Sequence, residues 1–357
     1  MKSYKFMTLM LGTVIIAGNL AACGRESVQQ MESASKEQLS ETASDEQNSS
    51  VISEEMFNLD LSTTYAADSP AGIALTKFAE DVKTESNGTI NISLFTDGTL
   101  GKNSADNYTA VSAGDLDMAM AGLEGLDLYA PEYTFLDAPF LMSSEEQRQA
   151  ILESGIGDAL KKRYEENNIV TLGWHNRDIR VLASNKAVKT PADVNGMKLR
   201  LPGMTVYVDT WNQLGINATT VAMSELYTAL QTKVADACEG GYEQMTTLKL
   251  YEVQDYIMET NHVYEFVGLF INKDLYERMS ENQRSIIQKC ADENLKYADE
   301  MAKQTHEEYK KACLDGGMTL VEVDTEAFRA ALEDYYKQQF ETKWTAVTYE
   351  DVLSYAK

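Results

Sequence analysis

The sequence predicts an α/β protein with two hinge-linked lobes and a long helix that spans both. Three observations support this prediction. Strand and helix patterns alternate over residues 57–121 and alternate again over residues 197–238, as they do in proteins built on parallel sheets. Strand patterns within 168–184 and 257–271 connect these two regions. A long amphipathic pattern follows at 281–313.

The first lobe opens with a strand pattern at Phe57–Thr64. Ser69 followed by proline predicts a helix start, because serine caps helix N-termini and proline fits the first turn. Further strands are predicted at Thr89–Phe95 and Leu116–Ala121, with a helix between them that ends at Gly114. These elements predict a complete β/α lobe.

The second lobe repeats this alternation, with strands predicted at Met197–Leu201, Ile216–Ala222 and Val234–Cys238. Strands joined by helices run parallel, and open parallel sheets bind ligands beyond the carboxyl ends of their strands. Four residues fall at such ends: Arg200, Met223, Glu239 and Gly240. An arginine in that position is a ready carboxylate receptor, because its guanidinium fork donates two parallel hydrogen bonds.

Two crossings join the lobes. Asn168–Trp174 and Ile179–Ser184 are predicted strands leading to the second lobe, and Val267–Ile271 is the strand that returns. The helix Glu281–Cys313 lacks strict heptads, so we expect it to pack across both lobes instead of forming a coiled coil. The predicted division is a signal peptide at 1–22, a flexible tether at 23–54, an N-terminal lobe at 55–177 plus 266–305, and a C-terminal lobe at 178–265 plus 306–357.

The first residues have the pattern of an export signal. A basic start is followed by the apolar run Phe6–Ala17, which is short for a membrane span. Leu20-Ala21-Ala22-Cys23 resembles a bacterial lipobox, and this predicts that Cys23 is lipidated and anchors the protein outside the cytoplasm. The alternative is an ordinary secretory signal with a chance cysteine. The following stretch, rich in Ser, Glu and Gln, is the predicted tether.

Composition narrows the function. The net charge of −25 argues against a nucleic-acid partner. Motifs of serine hydrolases, P-loop proteins and zinc proteases are missing, and the three histidines are scattered at 175, 262 and 306. We therefore expect no enzyme activity, no cofactor and no metal. The three cysteines after Cys23 are odd in number, and we expect free thiols at Cys238, Cys290 and Cys313.

Several linked motifs carry a family resemblance. Residues 180–202 follow the pattern R-x3-S-N-x-A-V-x-T-P-x-D-x-x-G-x-K-x-R-x-P, and three further runs are S-E-L-Y-T-A-L-Q-T, V-A-D-A-C-E and Y-E-V-Q-D-Y. Together with the upstream run L-D-A-P-F-L at 136–141, this resembles the solute-binding proteins of tripartite ATP-independent periplasmic (TRAP) transporters. The resemblance covers about residues 57–340. It implies a periplasmic-binding-protein-like fold (type II-like) that captures an organic anion by hinge closure and delivers it to the TRAP membrane subunits.

The resemblance also implies site residues. Arg200 stands at the family's carboxylate-binding arginine, and the alternative role is a structural salt bridge to Glu239. Arg180 matches a second family arginine, and the alternative is an interdomain surface charge. The family's cleft positions correspond to Pro202, Gly203 and Met223, and the first lobe adds Thr64 and Asp68.

Two glycines depart from the family pattern. Gly240 stands where the family often has an asparagine, and Gly122 where some sugar-acid binders place a carboxylate. These losses argue against a highly polar ligand resembling sialic acid. They favour a plainer or bulkier carboxylate, including an aromatic one that could stack on Trp174, Tyr242 or Trp211.

Two other functions remain open at this point. The same capture fold could serve as the sensor of a signalling receptor, or the acidic residues could belong to a secreted hydrolase. The first differs from transport only in its membrane partner. In each case we expect a monomer.

Overall fold

The computed structural model describes residues 54–221 and 223–356. Nearly all of the predicted tether, with the signal peptide and Cys23, lies outside the described residues. Glu54 is already part of the folded body, because its carboxylate accepts hydrogen bonds from Ser280 at 2.6 Å and from Asn282 at 3.2 Å. Among the described residues, no helix combines the length and apolar character needed to cross a membrane.

The elements of the N-terminal part alternate as predicted. They are β1 (Phe57–Thr63), α1 (Pro70–Glu85), β2 (Ile90–Phe95), α2 (Ser104–Ala113), β3 (Met118–Ala121), α3 (Glu124–Tyr129), α4 (Glu145–Leu152), α5 (Gly155–Glu165) and β4 (Ile169–Ser184). The structure confirms the predicted cap of α1, where the Ser69 side chain accepts from the amide of Gly72 at 3.1 Å. A 3₁₀ turn at Pro131–Asp137 precedes α4.

The second half of the chain continues the alternation and ends in helices. Its elements are α6 (Pro191–Val194), β5 (Lys198–Leu201), α7 (Thr205–Gln213), β6 (Asn217–Thr220), α8 (Leu226–Gln231), β7 (Ala237–Gly240), α9 (Tyr242–Thr247), β8 (Tyr256–Asn272), α10 (Lys273–Arg278), α11 (Glu281–Asp315), β9 (Thr319–Val321), α12 (Thr325–Thr342) and α13 (Tyr349–Leu353). Strands β5, β6 and β7 pair in parallel, as the helix-linked pattern predicted.

All of these strands belong to one sheet of nine, in the order β2-β1-β3-β8-β4-β7-β5-β6, with β9 on β8. The antiparallel strands β4 and β8, of 16 and 17 residues, run through both halves and are the only ladder that joins them within the described sheet. The prediction of two separate strands at Asn168–Trp174 and Ile179–Ser184 was therefore wrong. β4 is continuous, and bulges at Thr171/Gly173 and Asn176/Asp178 let it twist from one lobe into the other.

The long helix behaves as predicted. α11 begins at a capping box formed by Ser280 and Gln283 and continues for 35 residues. It packs against α1 in the first lobe and α9 in the second, so one rigid element lies along both.

Three apolar clusters form the core of the protein. Phe78 and Ile287 belong to the first, between α1 and α11, while Cys238 and Cys313 belong to the second, under α8 and α9. The third cluster covers the opposite face of the sheet, contains Trp211, and continues through both lobes. Cys238, Cys290 and Cys313 are buried free thiols, as predicted.

Candidate functional site

Arg200 lies near the carboxyl end of β5, in register between Thr219 of β6 and Cys238 of β7. The residue is only 3% exposed. Its Nε donates to the carbonyl of Val221 at 2.9 Å, and among the described residues no carboxylate lies within ion-pair distance. Burial lowers the pKa of Arg200, opposed by the nearby Glu239 carboxylate. Its guanidinium therefore retains donors that the described residues do not use.

Arg180 on β4, unlike Arg200, is paired with carboxylates. Its Nε and Nη2 donate to the two carboxylate oxygens of Glu239 at 2.6 and 2.8 Å, and its Nη1 donates to Glu265 at 3.1 Å. The salt bridge considered for Arg200 and Glu239 is therefore absent among the described contacts, because Glu239 binds Arg180 in the bidentate fork geometry.

Glu239 is fully buried and holds its charge. Burial opposes ionisation, yet Arg180 and the hydrogen bond from His262 hold the pKa of Glu239 well below its usual range. His262 Nε2 lies 3.0 Å from Glu239, and its Nδ1 lies 2.7 Å from the Thr260 hydroxyl. Burial lowers the pKa of His262. A neutral imidazole that donates to Glu239 and accepts from Thr260 satisfies both contacts.

Arg177 extends this system across the hinge. Its Nη1 and Nη2 donate to Glu265 of β8 at 3.1 Å and to Glu243 of α9 at 3.0 Å. Its guanidinium carbon also lies 4.7 Å from the ring centre of Tyr65, which follows β1 in the first lobe. One side chain thus touches both lobes. We call Arg177, Arg180, Glu239, Glu243 and Glu265 the hinge network.

Sequence reasoning missed most of the hinge network. Arg177, Glu243 and Glu265 match none of the quoted motifs, and the strongest signal available was the group of charged residues Arg177, Asp178 and Arg180 at the predicted crossing. The network exists because β4 and β8 pair antiparallel, which places Arg180 opposite Val263 and Asp178 opposite Glu265.

The first-lobe wall is formed at the end of β3. The amide of Gly122 donates to the hydroxyl of Ser104 at 3.1 Å. A Cβ atom on Gly122 would lie 2.8 Å from a carboxyl oxygen of Glu124. The space beside Gly122, where a carboxyl group was predicted to be missing, therefore holds the carboxyl group of Glu124, two residues further along the chain. Burial raises the pKa of Glu124.

The structure also corrects the prediction made for Gly240 in the second lobe. The prediction was that an amide donor is lost and space is gained there. A Cβ on Gly240 would instead lie 2.6 Å from the side-chain amide of Gln244, whose Nε2 donates to the Glu239 carbonyl at 3.3 Å. The space beside Gly240 is thus filled by an amide from the first turn of α9.

The remaining cleft residues differ in exposure. Met223 is 46% exposed, and Gly203 is open, with Thr220 as its nearest neighbour at 3.8 Å from a built Cβ. Thr64 is half-buried and Asp68 is exposed, both in the segment after β1.

The predicted aromatic stacking surface is not assembled. Trp211 and Tyr242 are fully buried, with Trp211 against Phe140 and Tyr242 edge-on to His306. Trp174 is half-buried but lies edge-on to Phe266 at 5.2 Å between ring centres. Neither Trp211 nor Tyr242 offers a ring face to a ligand in this structure, because both side chains are fully buried.

A second buried acid lies close to the hinge network. Asp137 is 4% exposed, and burial raises its pKa well above the usual range, with Glu265 adding to the effect. Its Oδ1 has no hydrogen-bond partner in the described part of the chain. The guanidinium of Arg180 lies 5.3 Å from the ring centre of neighbouring Tyr207.

A cavity of about 140 Å³ lies between α4, the hinge strands and α11. Its lining contains none of the residues predicted for binding. Six of the charged side chains that line it are paired with one another, as Lys303–Glu145, His306–Asp178 and Arg177–Glu265. Arg148 also lines the cavity, and its buried Nε and Nη1 have no hydrogen-bond partner among the described residues. In residues 54–221 and 223–356, no group of three or more His, Cys, Asp and Glu side chains could hold a metal.

Known proteins are similar to this chain in sequence. Residues 61–343 match the model of bacterial extracellular solute-binding protein family 7, DctP. A solute-binding protein of Roseobacter denitrificans is 31% identical over 73% of this chain and 80% of its own length. The C4-dicarboxylate-binding periplasmic protein DctP of Rhodobacter capsulatus is 27% identical over 77% of this chain and 83% of its own.

Solved structures agree. A TRAP periplasmic solute-binding protein of Chromohalobacter salexigens with bound D-glucuronate is 27% identical, with a TM-score of 0.77 over 83% of this chain and 98% of that chain. The predicted two-lobed α/β fold is confirmed. The chain belongs to the bacterial extracellular solute-binding protein family 7, and it is an extracytoplasmic TRAP solute-binding protein that captures organic acid anions and delivers them to the transporter's membrane subunits.

Proposed function

We propose that the organic acid binds through its carboxylate to Arg200. The observation that carries this proposal is a contrast between neighbouring arginines: Arg180 is held by two carboxylates, whereas Arg200 has one backbone partner among the described residues. A buried cation without a counterion is costly, and an incoming carboxylate removes that cost. Two charge-assisted hydrogen bonds of about 1.5–3 kcal/mol each would hold the ligand.

The rest of the site follows from this position. Met223, Pro202 and Gly203 lie at the rim of the second lobe, and Glu239 and Gly240 form its floor. On this proposal Thr64, Asp68, Gly122 and Trp174 of the first lobe complete the cleft. Since Arg200 is only 3% exposed, the ligand enters when the lobes separate at β4 and β8. The lobes we propose are 55–177 plus 266–305 and 178–265 plus 306–357, acting in a monomer.

The test is calorimetry of purified protein with D-glucuronate and succinate as probes, compared with the Arg200→Ala variant. Arg163→Ala is the matched control, because Arg163 is a surface arginine that pairs with Glu132 and Glu166. We expect loss of binding in Arg200→Ala and no change in Arg163→Ala. Equal affinity of a folded Arg200→Ala variant and the wild type would overturn this site.

We also propose that Cys23 carries a lipid that holds the protein at the outer face of the membrane. Cys23 lies outside the described residues, and its support is the lipobox-like sequence behind a basic and apolar leader. Cys23→Ser should move the protein from the membrane fraction to the soluble fraction. Cys290→Ser, which changes a buried thiol of the folded part, should stay membrane-bound. Retention of a fully processed Cys23→Ser variant would contradict the anchor.

A further inference from the structure

We propose that the cavity between α4, the hinge strands and α11 binds a small monovalent anion, such as chloride, through the buried guanidinium of Arg148. Four elements supply its lining, namely α4, β4, β8 and α11, and Arg148 is the contribution of α4 that carries a positive charge. Arg200 is not among the lining residues. The anion site is therefore separate from the proposed organic-acid site and does not depend on what binds there.

Arg148 is buried and uses few of its donors. The residue is only 1% exposed, and its Nη2 donates to the side-chain oxygen of Asn176 on β4 at 2.6 Å. Its guanidinium carbon lies 4.5 Å from the ring centre of Phe266, which fixes the orientation of the group. Nε and Nη1 have no hydrogen-bond partner among the described residues. The one N–H of Nε and the two of Nη1 are therefore left to bind a ligand.

The carboxylates near Arg148 are bonded to other groups. Glu145 pairs with Lys303 at 3.3 Å, and Glu265 pairs with two arginines of the hinge network. Asp299 accepts from a backbone amide of β4 at 2.7 Å. Among the described residues, none of these three carboxylates forms an ion pair with Arg148.

Asp137 does not supply the missing charge either. Burial raises its pKa well above the usual range, so Asp137 keeps its proton at neutral pH. Burial lowers the pKa of Arg148 to about 10, and the guanidinium therefore stays charged at neutral pH. A buried cation without a counterion is unfavourable. An anion that enters the cavity removes this cost and forms charge-assisted hydrogen bonds.

The cavity limits the size and the charge of the anion. Its volume is about 140 Å³, whereas one water molecule needs roughly 10–15 Å³ of such space, so a small anion fits together with several waters. Apart from Arg148, the charged side chains of the described lining are already paired. A second negative charge would find no free cation and would be repelled by Glu145, Asp178 and Glu265. We therefore expect a monovalent anion and not sulfate.

Thermal melts measure the binding, because a ligand that binds only the folded state stabilises it. Sodium chloride replaces the bulky salt sodium HEPES at constant ionic strength, since screening alone affects an acidic protein. We expect saturating chloride to raise the melting temperature of the wild type by about 2 °C or more. Parallel melts with sodium acetate show whether a small carboxylate fills the same site.

Arg148→Met tests the assignment. It removes an uncompensated buried charge and should fold, because apolar replacements of such groups are tolerated. Its melting temperature should not respond to chloride or acetate, whereas Arg163→Met, which loses an exposed arginine paired with Glu132 and Glu166, should respond like the wild type. Equal responses of Arg148→Met and the wild type to both anions would overturn the site.

The same melts with Arg200→Ala separate the two sites. A response that is lost in Arg200→Ala and kept in Arg148→Met would contradict the cavity site and support anion binding in the cleft. A sulfate response that depends on Arg148 and exceeds the chloride response would contradict the preference for a monovalent anion.

Crystals locate the anion directly. Bromide scatters X-rays anomalously and stands in for chloride, and we expect its peak beside Nε and Nη1 of Arg148. A peak without any Arg148-dependent response in the melts would be an adventitious ion only and would overturn the proposal. Absence of both bromide and acetate beside Arg148 in wild-type crystals would overturn it as well, whether or not Arg148→Met folds.

Discussion

The hinge and the proposed ligand cleft each contain a buried arginine, and the two arginines have different partners. Arg180 at the hinge donates to Glu239 and Glu265, which belong to two other strands. Arg200 in the cleft donates to one backbone carbonyl. Buried charges that are fully paired fix a geometry, whereas a buried cation without a counterion is stabilised when an anion binds to it. The comparison explains why two arginines of similar burial would serve different purposes.

We expect the largest loss of stability from removing Glu239, the carboxylate that pairs with Arg180. Glu239→Ala leaves the buried His262 without its acceptor and leaves Arg180 with Glu265 alone, and loss of one partner of a buried pair costs about 3–5 kcal/mol of unfolding free energy. Urea denaturation measures this loss. Glu166→Ala, which removes an exposed partner of Arg163, should change stability by less than about 1 kcal/mol. Equal effects of the two substitutions would show that the hinge network does not stabilise the fold.

Removing the charge of Arg200, which has no carboxylate partner among the described residues, should not lower the stability of the ligand-free protein. Arg200→Met removes an uncompensated buried charge, so the ligand-free protein should melt at the same temperature or higher. Arg200→Lys keeps the charge but loses the planar fork, and affinity for the best-binding acid should fall by about ten- to a thousandfold. Calorimetry and thermal melts report the two quantities separately. A strong loss of stability in ligand-free Arg200→Met would mean that Arg200 has a structural role.

The next effect is a pH dependence at Asp137. Its folded-state pKa is raised by burial, so the folded state holds a proton that the unfolded state releases near an ordinary aspartate pKa of about 3.9. The resulting stability is fully present below that pKa and is lost as the pH rises through the raised folded pKa. Asp137→Asn removes the titrating group. Denaturation at several pH values should show a flatter profile and higher stability at alkaline pH, and a parallel pair of profiles would contradict the assignment.

Much of the fold could be predicted because its signals are local. The cap at Ser69, the start of the long helix at Glu281 and the parallel order of β5, β6 and β7 follow from short-range patterns. The choice of Glu239 for Arg180 could not be predicted, because the two lie 59 positions apart and meet only through the pairing of β4 with β7.

The two cleft glycines teach the same lesson at shorter range. Gly122 and Gly240 were interpreted as lost polar groups, since a residue-by-residue comparison sees only the aligned position. In the structure Glu124 and Gln244 place a carboxyl and an amide against them from two and four residues further along the chain. A helix that starts directly after a strand brings these side chains back toward the strand end. The two glycines by themselves therefore do not determine which polar groups stand at the ends of these strands.

The smallest effect concerns the contact of the hinge network with the first lobe. The ring of Tyr65 stacks on Arg177, which keeps its bonds to Glu243 and Glu265 whatever stands at position 65. Tyr65→Leu should therefore cost only about 0.5–2 kcal/mol, the range of a cation–π contact. Because the contact holds Arg177, which binds Glu243 and Glu265, against the first lobe, the free protein should shift toward its open form, with a larger radius of gyration in solution scattering and a few-fold weaker ligand affinity. Tyr65→Phe keeps the ring and is the matched control. If Phe and Leu at position 65 give the same radius and the same affinity, Tyr65 does not link the first lobe to the hinge network.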